Sequence, residues 1–170
     1  MATWADFAQA EPERAERGFR HLSIPLAYLA TVRRDGAPRL HPLSPIFAGG
    51  RLFVAIESPS PRKHDLARDG RYALHGLPPL LGPDYDEFEI NVTGRARRVT
   101  DAATKRLVDE AEAARHRPAI NPDAWLFELD IEMALTTTWS HTMVEVDGGW
   151  TPDISGVQPR PTRRIWKAAG

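Results

Sequence analysis

The residues best suited to chemistry in this chain are three cations in two short segments. Arg62 and Lys63 stand together in "SPSPRKHDLARDG" (residues 58–70), and Arg39 stands in "PRLHPLSP" (residues 38–45). The first segment reads as a turn feeding a short helix. Ser60 is suited to the N-cap, Pro61 to the first helical position, Leu66 to a core, and Gly70 to a left-handed C-terminus. A helix N-terminus disfavours cations in its first turn, and the capping-box position after Ser60 holds Lys63 instead of Glu or Gln. Two readings follow. A bound anion would satisfy free N–H groups and offset the repulsion; alternatively, both side chains point to water, where the penalty is only about a few tenths of a kcal/mol. Arg39 and His41 share one face of a neighbouring strand, so Arg39 can add a third cation. That strand carries Pro38, Pro42 and Pro45, which cannot donate to a ladder, so it is irregular or at a sheet edge. Free backbone there can receive a ligand; alternatively, the prolines simply keep an edge strand from aggregating.

Other chemistry has little support in the sequence. No Gly-x-Gly-x-x-Gly follows a strand, no loop ends in Gly-Lys-Ser or Gly-Lys-Thr, and no Gly-x-Ser-x-Gly elbow occurs. The six histidines (His21, His41, His64, His75, His116, His141) include no pair at helical metal-binding spacing. They read as surface or hydrogen-bonded structural residues. With no cysteine, the chain has no disulfide, thiolate metal site or cysteine nucleophile, which is compatible with a cytoplasmic location. The acids of "DYDEFE" fall in a loop and are explained by solvation. A formal net charge of −1 gives no overall field to draw the chain to nucleic acid or an anionic membrane. The first residues resemble no secretory signal, and no apolar run is long enough to span a bilayer.

These cations need a scaffold. A chain of 170 residues, with 42% hydrophobic and 26% charged residues, suits a single domain with one sizeable core. Residues 3–22 predict helix, with Trp4, Phe7, Ala8, Ala15, Phe19 and Leu22 on one stripe and Pro12 as a break. "LAYLATVR", an Asp35-Gly36 turn, "APRLHPLSPIF", a Gly49-Gly50 turn and "RLFVAIE" predict a three-stranded antiparallel meander. "RYALHGL" predicts a strand, "PPLLGPDYDE" a loop, and "FEINVTGRARRVT" a strand with Ile90, Val92, Gly94 and Ala96 on one side. "DAATKRLVDEAEAARH" predicts a helix capped by Thr100 or Asp101, with Leu107, Val108 and Ala111 inward. "WLFELDI", "ALTTTWS" and "TMVEVDGGW" predict three more strands, and residues 158–170 a basic tail. The fold class is mainly β (α+β), a closed or nearly closed antiparallel barrel of about six to eight strands with a few flanking helices.

An ordered set of features then resembles a known family. They are the Leu-Ala-Thr-Val strand, the Asp-Gly turn, the Arg-x-x-Pro strand, the Gly-Arg-Leu-Phe strand, Arg-Lys before a helix with Asp-Leu, and Thr-Gly-Arg-Ala on a later strand. Over roughly residues 20–145 the chain resembles the pyridoxamine 5′-phosphate oxidase-like flavin-binding split-barrel superfamily. The resemblance implies a homodimer holding FMN in a groove between subunits, with an oxidoreductase activity on a small-molecule substrate. It implies that Arg39, Arg62 and Lys63 grip the flavin phosphate. The ring would lie along Leu40, His41, Pro42, Leu43 and Ser44 and along Ile56 and Glu57, approached by Glu89 and Trp139. No residue is assigned a catalytic acid or base role, and no metal is implied. Two departures point away from vitamin B6 oxidation: Ser44 stands where the oxidases carry a lysine, and their C-terminal arginine and histidine motif is missing. Glu57 and Glu89 add negative charge near the ring. A deazaflavin coenzyme is an alternative, its acidic tail met by Arg160, Arg163 or Arg164. A non-enzymatic barrel holding flavin, or haem through His41 or His141, is another, as is a purely structural dimer.

Overall fold

The structure is a computed structural model; it describes residues 1–23, 26–76, 87–153, 155 and 160–169. The N-terminal helical stretch forms two helices, α1 (Trp4–Ala10) and α2 (Pro12–Ser23). Thr3 and Asp6 form a reciprocal capping box at the start of α1, and Pro12 opens α2. Their apolar stripes bury Trp4, Phe7, Ala15 and Leu22.

β1 (Ala27–Val32) and β2 (Pro38–Leu43) form the expected hairpin around Asp35-Gly36. The predicted meander stops there. "APRLHPLSPIF" breaks at Ser44-Pro45 into β2 and a separate β3 (Ile46–Ala48), and it is β3 that pairs with β4 (Arg51–Ile56). After α3 (Arg62–Arg68) come β5 (Arg71–Gly76), β6 (Phe88–Arg98), α4 (Ala102–Ala114) and β7 (Trp125–Thr138). The main sheet runs β2-β1-β5-β6-β7-β4-β3. Its two ends, β2 and β3, are separated in sequence only by Ser44 and Pro45. Opposite edges can be that close in the chain only if the sheet curls back on itself, so the sheet is a split barrel. β2 is an edge strand, as its prolines predicted.

Other expectations needed correction. "WLFELDI" and "ALTTTWS" are one 14-residue strand, β7, pairing with β6 from Phe127 to Thr138, with β4 on one half and with a last strand on the other. That last strand, β10 (Thr162–Lys167), lies in what had read as a basic tail. "TMVEVDGGW" is a separate hairpin of β8 (Met143–Val146) and β9 (Gly149–Pro152). The predicted loop at residues 78–87 lies, apart from Glu87, outside the described residues, as do Leu77 and the ends of the tail (158–159 and 170).

β6 alternates as predicted, with Phe88, Ile90, Val92 and Gly94 buried. Its register on β7 shifts between Thr93 and Gly94, where Glu132 is the extra residue. Gly94 is required there, because a Cβ would overlap the Asp130 carbonyl oxygen. One core fills the barrel around Phe7, Leu29, Ile56, Leu74, Ile90 and Phe127. A second lies under α4, where Val108 meets Phe53, Val99 and Leu126. Asp101 caps α4 by accepting from the Thr104 N–H at 2.8 Å, and that bond holds its carboxyl below the ordinary range.

Candidate functional site

The cations meet where the edge strand β2 faces the start of α3. The loop from Glu57 turns back through a cis Ser58–Pro59 bond into α3. α3 is only seven residues long and has no side-chain cap. Ser60, expected as the cap, instead accepts from Arg62 Nε at 2.9 Å. The Arg62 Nη1 group reaches across to the Pro42 carbonyl of β2 at 3.5 Å. Burial, and then the nearby charge of Arg39, lower the Arg62 guanidinium below its ordinary pKa. Lys63 is buried, 9% exposed, and its Nζ donates to Ser58 Oγ at 2.6 Å.

The helix carries its own acid in its first turn, and that acid is buried. Asp65, 4% exposed, accepts from Arg39 Nε at 2.7 Å and from Thr31 Oγ1 at 3.3 Å. It also pairs with Arg68 Nη1 at 3.4 Å, while Arg68 Nη2 donates to the Val32 carbonyl. One carboxylate therefore ties β1, β2 and α3 together and fixes Arg39 through its Nε. Among the described residues, neither Arg62 nor Lys63 has a carboxylate partner. The C-terminus of α3 also differs from expectation. Asp69 is the C-cap, and Gly70 is not left-handed. It is glycine because a Cβ would lie 2.8 Å from the Ala96 carbonyl oxygen of β6.

A residue the sequence reading missed forms the floor beside the pair. Trp125, opposite Ile56 in the β4–β7 register, lies 5.2 Å from Lys63 Nζ and 3.7 Å from the Arg98 guanidinium carbon. His64 packs edge-on against it at 5.3 Å. No motif signalled Trp125 or Asp65; their roles come from strand pairing and helix packing.

Along β2, Arg39, His41 and Leu43 share the face of the buried Thr31, Leu29 and Ala27. Leu40 points the other way and is 62% exposed; His41, Pro42 and Ser44 are also exposed, while Leu43 is buried. Ile56 is fully buried, and the exposed Glu57 follows it, its carbonyl accepting from the Ser60 N–H at 3.0 Å. Arg39, Arg62 and Lys63 are thus brought together between β2 and the loop after β4. Glu89 and Trp139 are not brought to them within one chain. Glu89 pairs with Thr137 on the outward face of β6, and the Trp139 N–H donates to the Glu87 carbonyl at 3.0 Å. Arg163 and Arg164 lie on β10, separated from β2 by β7, β6, β5 and β1; Arg164 pairs with Glu11 at 3.0 Å. His141 Nδ1 is held against Glu87 at 2.6 Å.

One row on the outward face of the sheet carries no acid, Lys or Arg and is part-exposed. Tyr28, His75, Asn91, Leu135 and Ile165 form one cross-strand row, with Tyr28 38% and Ile165 59% exposed. No helix among the described residues is long and apolar enough to cross a membrane.

Residues 14–137 match the family model described as pyridoxamine 5′-phosphate oxidase. No curated protein matches the chain. Among solved structures, a haem-binding protein from Mycobacterium smegmatis superposes with a TM-score of 0.55 at 18% identity, over 84% of this chain. The chain spans about half of that protein, 53% of its length. A conserved hypothetical protein from Mycobacterium tuberculosis superposes with a TM-score of 0.59 at 20% identity, over 73% of this chain and 81% of its own. A protein from Clostridium acetobutylicum related to general stress protein 26 of B. subtilis superposes with a TM-score of 0.54 at 12% identity, over 96% and 95%. At these identities the structural likeness establishes the fold alone.

Proposed function

The chain belongs to the pyridoxamine 5′-phosphate oxidase family, and from that premise we propose that it binds FMN as an oxidoreductase on a small-molecule substrate other than vitamin B6. The observation that carries the reading is a buried Lys63 beside a half-buried Arg62, neither with a carboxylate partner among the described residues. Buried cations without an acid are costly unless an anion completes them. The flavin phosphate is such an anion. Arg62 and Lys63 hold it from the loop side, and the Nη groups of Arg39 approach from β2 while Asp65 fixes its Nε. Trp125 supports Lys63 from below. The edge of β2 turned away from β1, with Ser44 just beyond it, is unpaired in the sheet among the described residues and offers backbone along which a flat ring can lie. When bound, the flavin supplies the hydride and electron chemistry, so no acid or base of the chain is needed for it.

A second copy of the chain completes the site. The outward row from Tyr28 to Ile165, apolar at both ends with His75 and Asn91 between, and with Leu40 beside it, is suited to burial in a dimer. Glu89 and Trp139, on or beyond that side of the sheet, then approach the partner's groove instead of their own. Haem is the second reading, favoured by the haem-binding structural relative; His41 is exposed beside Arg39 and suited to an axial position.

The test is the absorption spectrum and mass of the small molecule released from purified protein, followed by FMN titration of Arg62→Ala/Lys63→Ala. Each charge-assisted contact is worth ~1.5–3 kcal/mol, so the double variant loses well over tenfold in affinity. Unchanged FMN affinity in that variant removes the phosphate site, and a Soret band in place of a flavin spectrum selects haem.

A further inference from the structure

A second group of cations lies beside the start of α2, with β7, β6, β5 and β1 between its strand and β2 in the sheet order. A cavity of about 90 Å³ is enclosed there between α2, β6, the end of β7 and the start of β10. Three arginines, Arg14, Arg17 and Arg164, and three threonines, Thr136, Thr138 and Thr162, line it. Strand pairing gathers them on one face. Thr136 and Thr138 are two apart on β7, and β10 sets Arg164 opposite Thr136 and Thr162 opposite Thr138. Phe88, opposite Thr138 on the other side, forms a wall, with the Arg17 guanidinium carbon 4.3 Å from its ring centre.

Arg14 is only 6% exposed. Its Nε donates to Thr136 Oγ1 at 2.9 Å, and its Nη2 to the Arg164 carbonyl at 2.7 Å. Its Nη1 is buried and donates no hydrogen bond, although it lies 3.2 Å from Glu11 Oε1. Glu11 is shared, since Arg164 Nη2 reaches its Oε2 at 3.0 Å. Two guanidinium groups therefore face one carboxylate. Burial lowers the Arg14 guanidinium below its ordinary pKa; Glu11 opposes that shift and Arg164 adds to it. The hydroxyls of Thr138 and Thr162 make no hydrogen bond among the described residues, and Thr136, which accepts from Arg14, keeps its own proton to donate. Glu13 also lines the cavity; it is exposed and has no ion pair among the described residues. Donors without acceptors, beside a guanidinium with half a carboxylate, suit an oxyanion.

We propose that this cavity binds one phosphate-sized oxyanion, held by Arg14, Arg164 and the threonine hydroxyls, and that the anion ties α2 to β7 and β10. A space of about 90 Å³ admits a single phosphoryl group and excludes a nucleotide. Two sources share this chemistry, free phosphate and a small phosphate monoester whose organic part leaves past the exposed Glu13 and Thr162. The site is independent of the flavin reading, which uses Arg39, Arg62 and Lys63.

The experiment follows the urea unfolding midpoint of the full chain as inorganic phosphate, or glycerol 3-phosphate, replaces chloride at constant ionic strength. A ligand that binds only the folded chain raises the midpoint with its concentration, and the dependence gives its dissociation constant. General salting by phosphate also raises the midpoint, but it does not saturate and does not respond to single cavity side chains. The expected constant for inorganic phosphate is within twofold of wild type in Arg62→Ala/Lys63→Ala. It is weakened fivefold or more in Arg164→Met and in Thr138→Val, and tightened twofold or more in Glu13→Gln, which removes the acid from the wall. The midpoint of each variant in chloride is the control for folding. A matching response to glycerol 3-phosphate assigns the site to phosphate monoesters as well, and a response to inorganic phosphate alone assigns it to the free ion. No saturable effect in the wild-type protein, its complete loss in Arg62→Ala/Lys63→Ala, or an unchanged constant in either Arg164→Met or Thr138→Val overturns the site and leaves the flavin reading untouched.

Discussion

Replacing Asp65 with alanine is the sharpest test of how the cation cluster is built. Asp65 accepts from Arg39 at 2.7 Å and from Thr31 at 3.3 Å, and pairs with Arg68 at 3.4 Å, with only 6% of its side chain exposed. The side chains of Arg39 and Arg68 are 28% and 39% exposed, so water can partly resolvate both once the carboxylate is gone. The loss is therefore at or below the lower part of the ~3–5 kcal/mol range typical of breaking a fully buried pair. A charge-assisted bond to Arg39 of ~1.5–3 kcal/mol, plus ~0.5–1.5 kcal/mol for the Thr31 hydroxyl, sets the scale. Asp65→Ala is expected to cost about 2–4 kcal/mol, or about 5–15 °C in Tm for a domain of this size. Urea denaturation in phosphate-free buffer measures it directly. A double-mutant cycle with Arg39→Met then isolates the pair, with a coupling of at least ~1 kcal/mol expected. Stability within ~0.5 kcal/mol of wild type in Asp65→Ala, or no coupling in the cycle, would refute the assignment of Asp65 as the tie between α3 and the barrel edge.

Two further outcomes follow from the same geometry. Gly94→Ala drives a Cβ into the Asp130 carbonyl at the β6–β7 register shift. Since both contacting groups are backbone-fixed, it is expected to cost more than ~3 kcal/mol or to yield no soluble protein, read by urea denaturation or expression yield; a wild-type midpoint would contradict the close approach. Asp69 is held at about 2, first by the Arg71 side chain and then by its backbone N–H. A carboxyl lowered on folding stabilises the protein above its ordinary pKa near 3.8 and loses that contribution as the pH falls through about 2. In Arg71→Ala the Asp69 carboxyl, followed by NMR, is expected to titrate back toward 3.8, and an unmoved midpoint would show that the backbone alone sets it.

The sequence by itself determined whatever local chemistry governs. The Asp35-Gly36 hairpin, the alternation of β6, the Asp101 cap of α4 and the edge position of the proline-bearing β2 all depend on neighbours within a few residues, and all appear in the fold. Arg39, Arg62 and Lys63 were legible as a group because two of them are adjacent and the third lies on a strand whose inward face is set by period two. Tertiary structure decided everything that depends on which strand lies beside which. The meander failed because Ser44-Pro45 sends the chain from one edge of a curled sheet to the other, a closure no local signal encodes. The basic tail became β10 because β7 is long enough to accept a second partner along its last half. Gly70 was assigned a helix cap when its real constraint is the Ala96 carbonyl 26 positions away, at 2.8 Å from any Cβ. The two cations at the start of α3 stopped being an oddity once packing showed the missing acid. It is Asp65, in the same turn but buried, where it holds Arg39 and leaves Arg62 and Lys63 without an acid partner among the described residues.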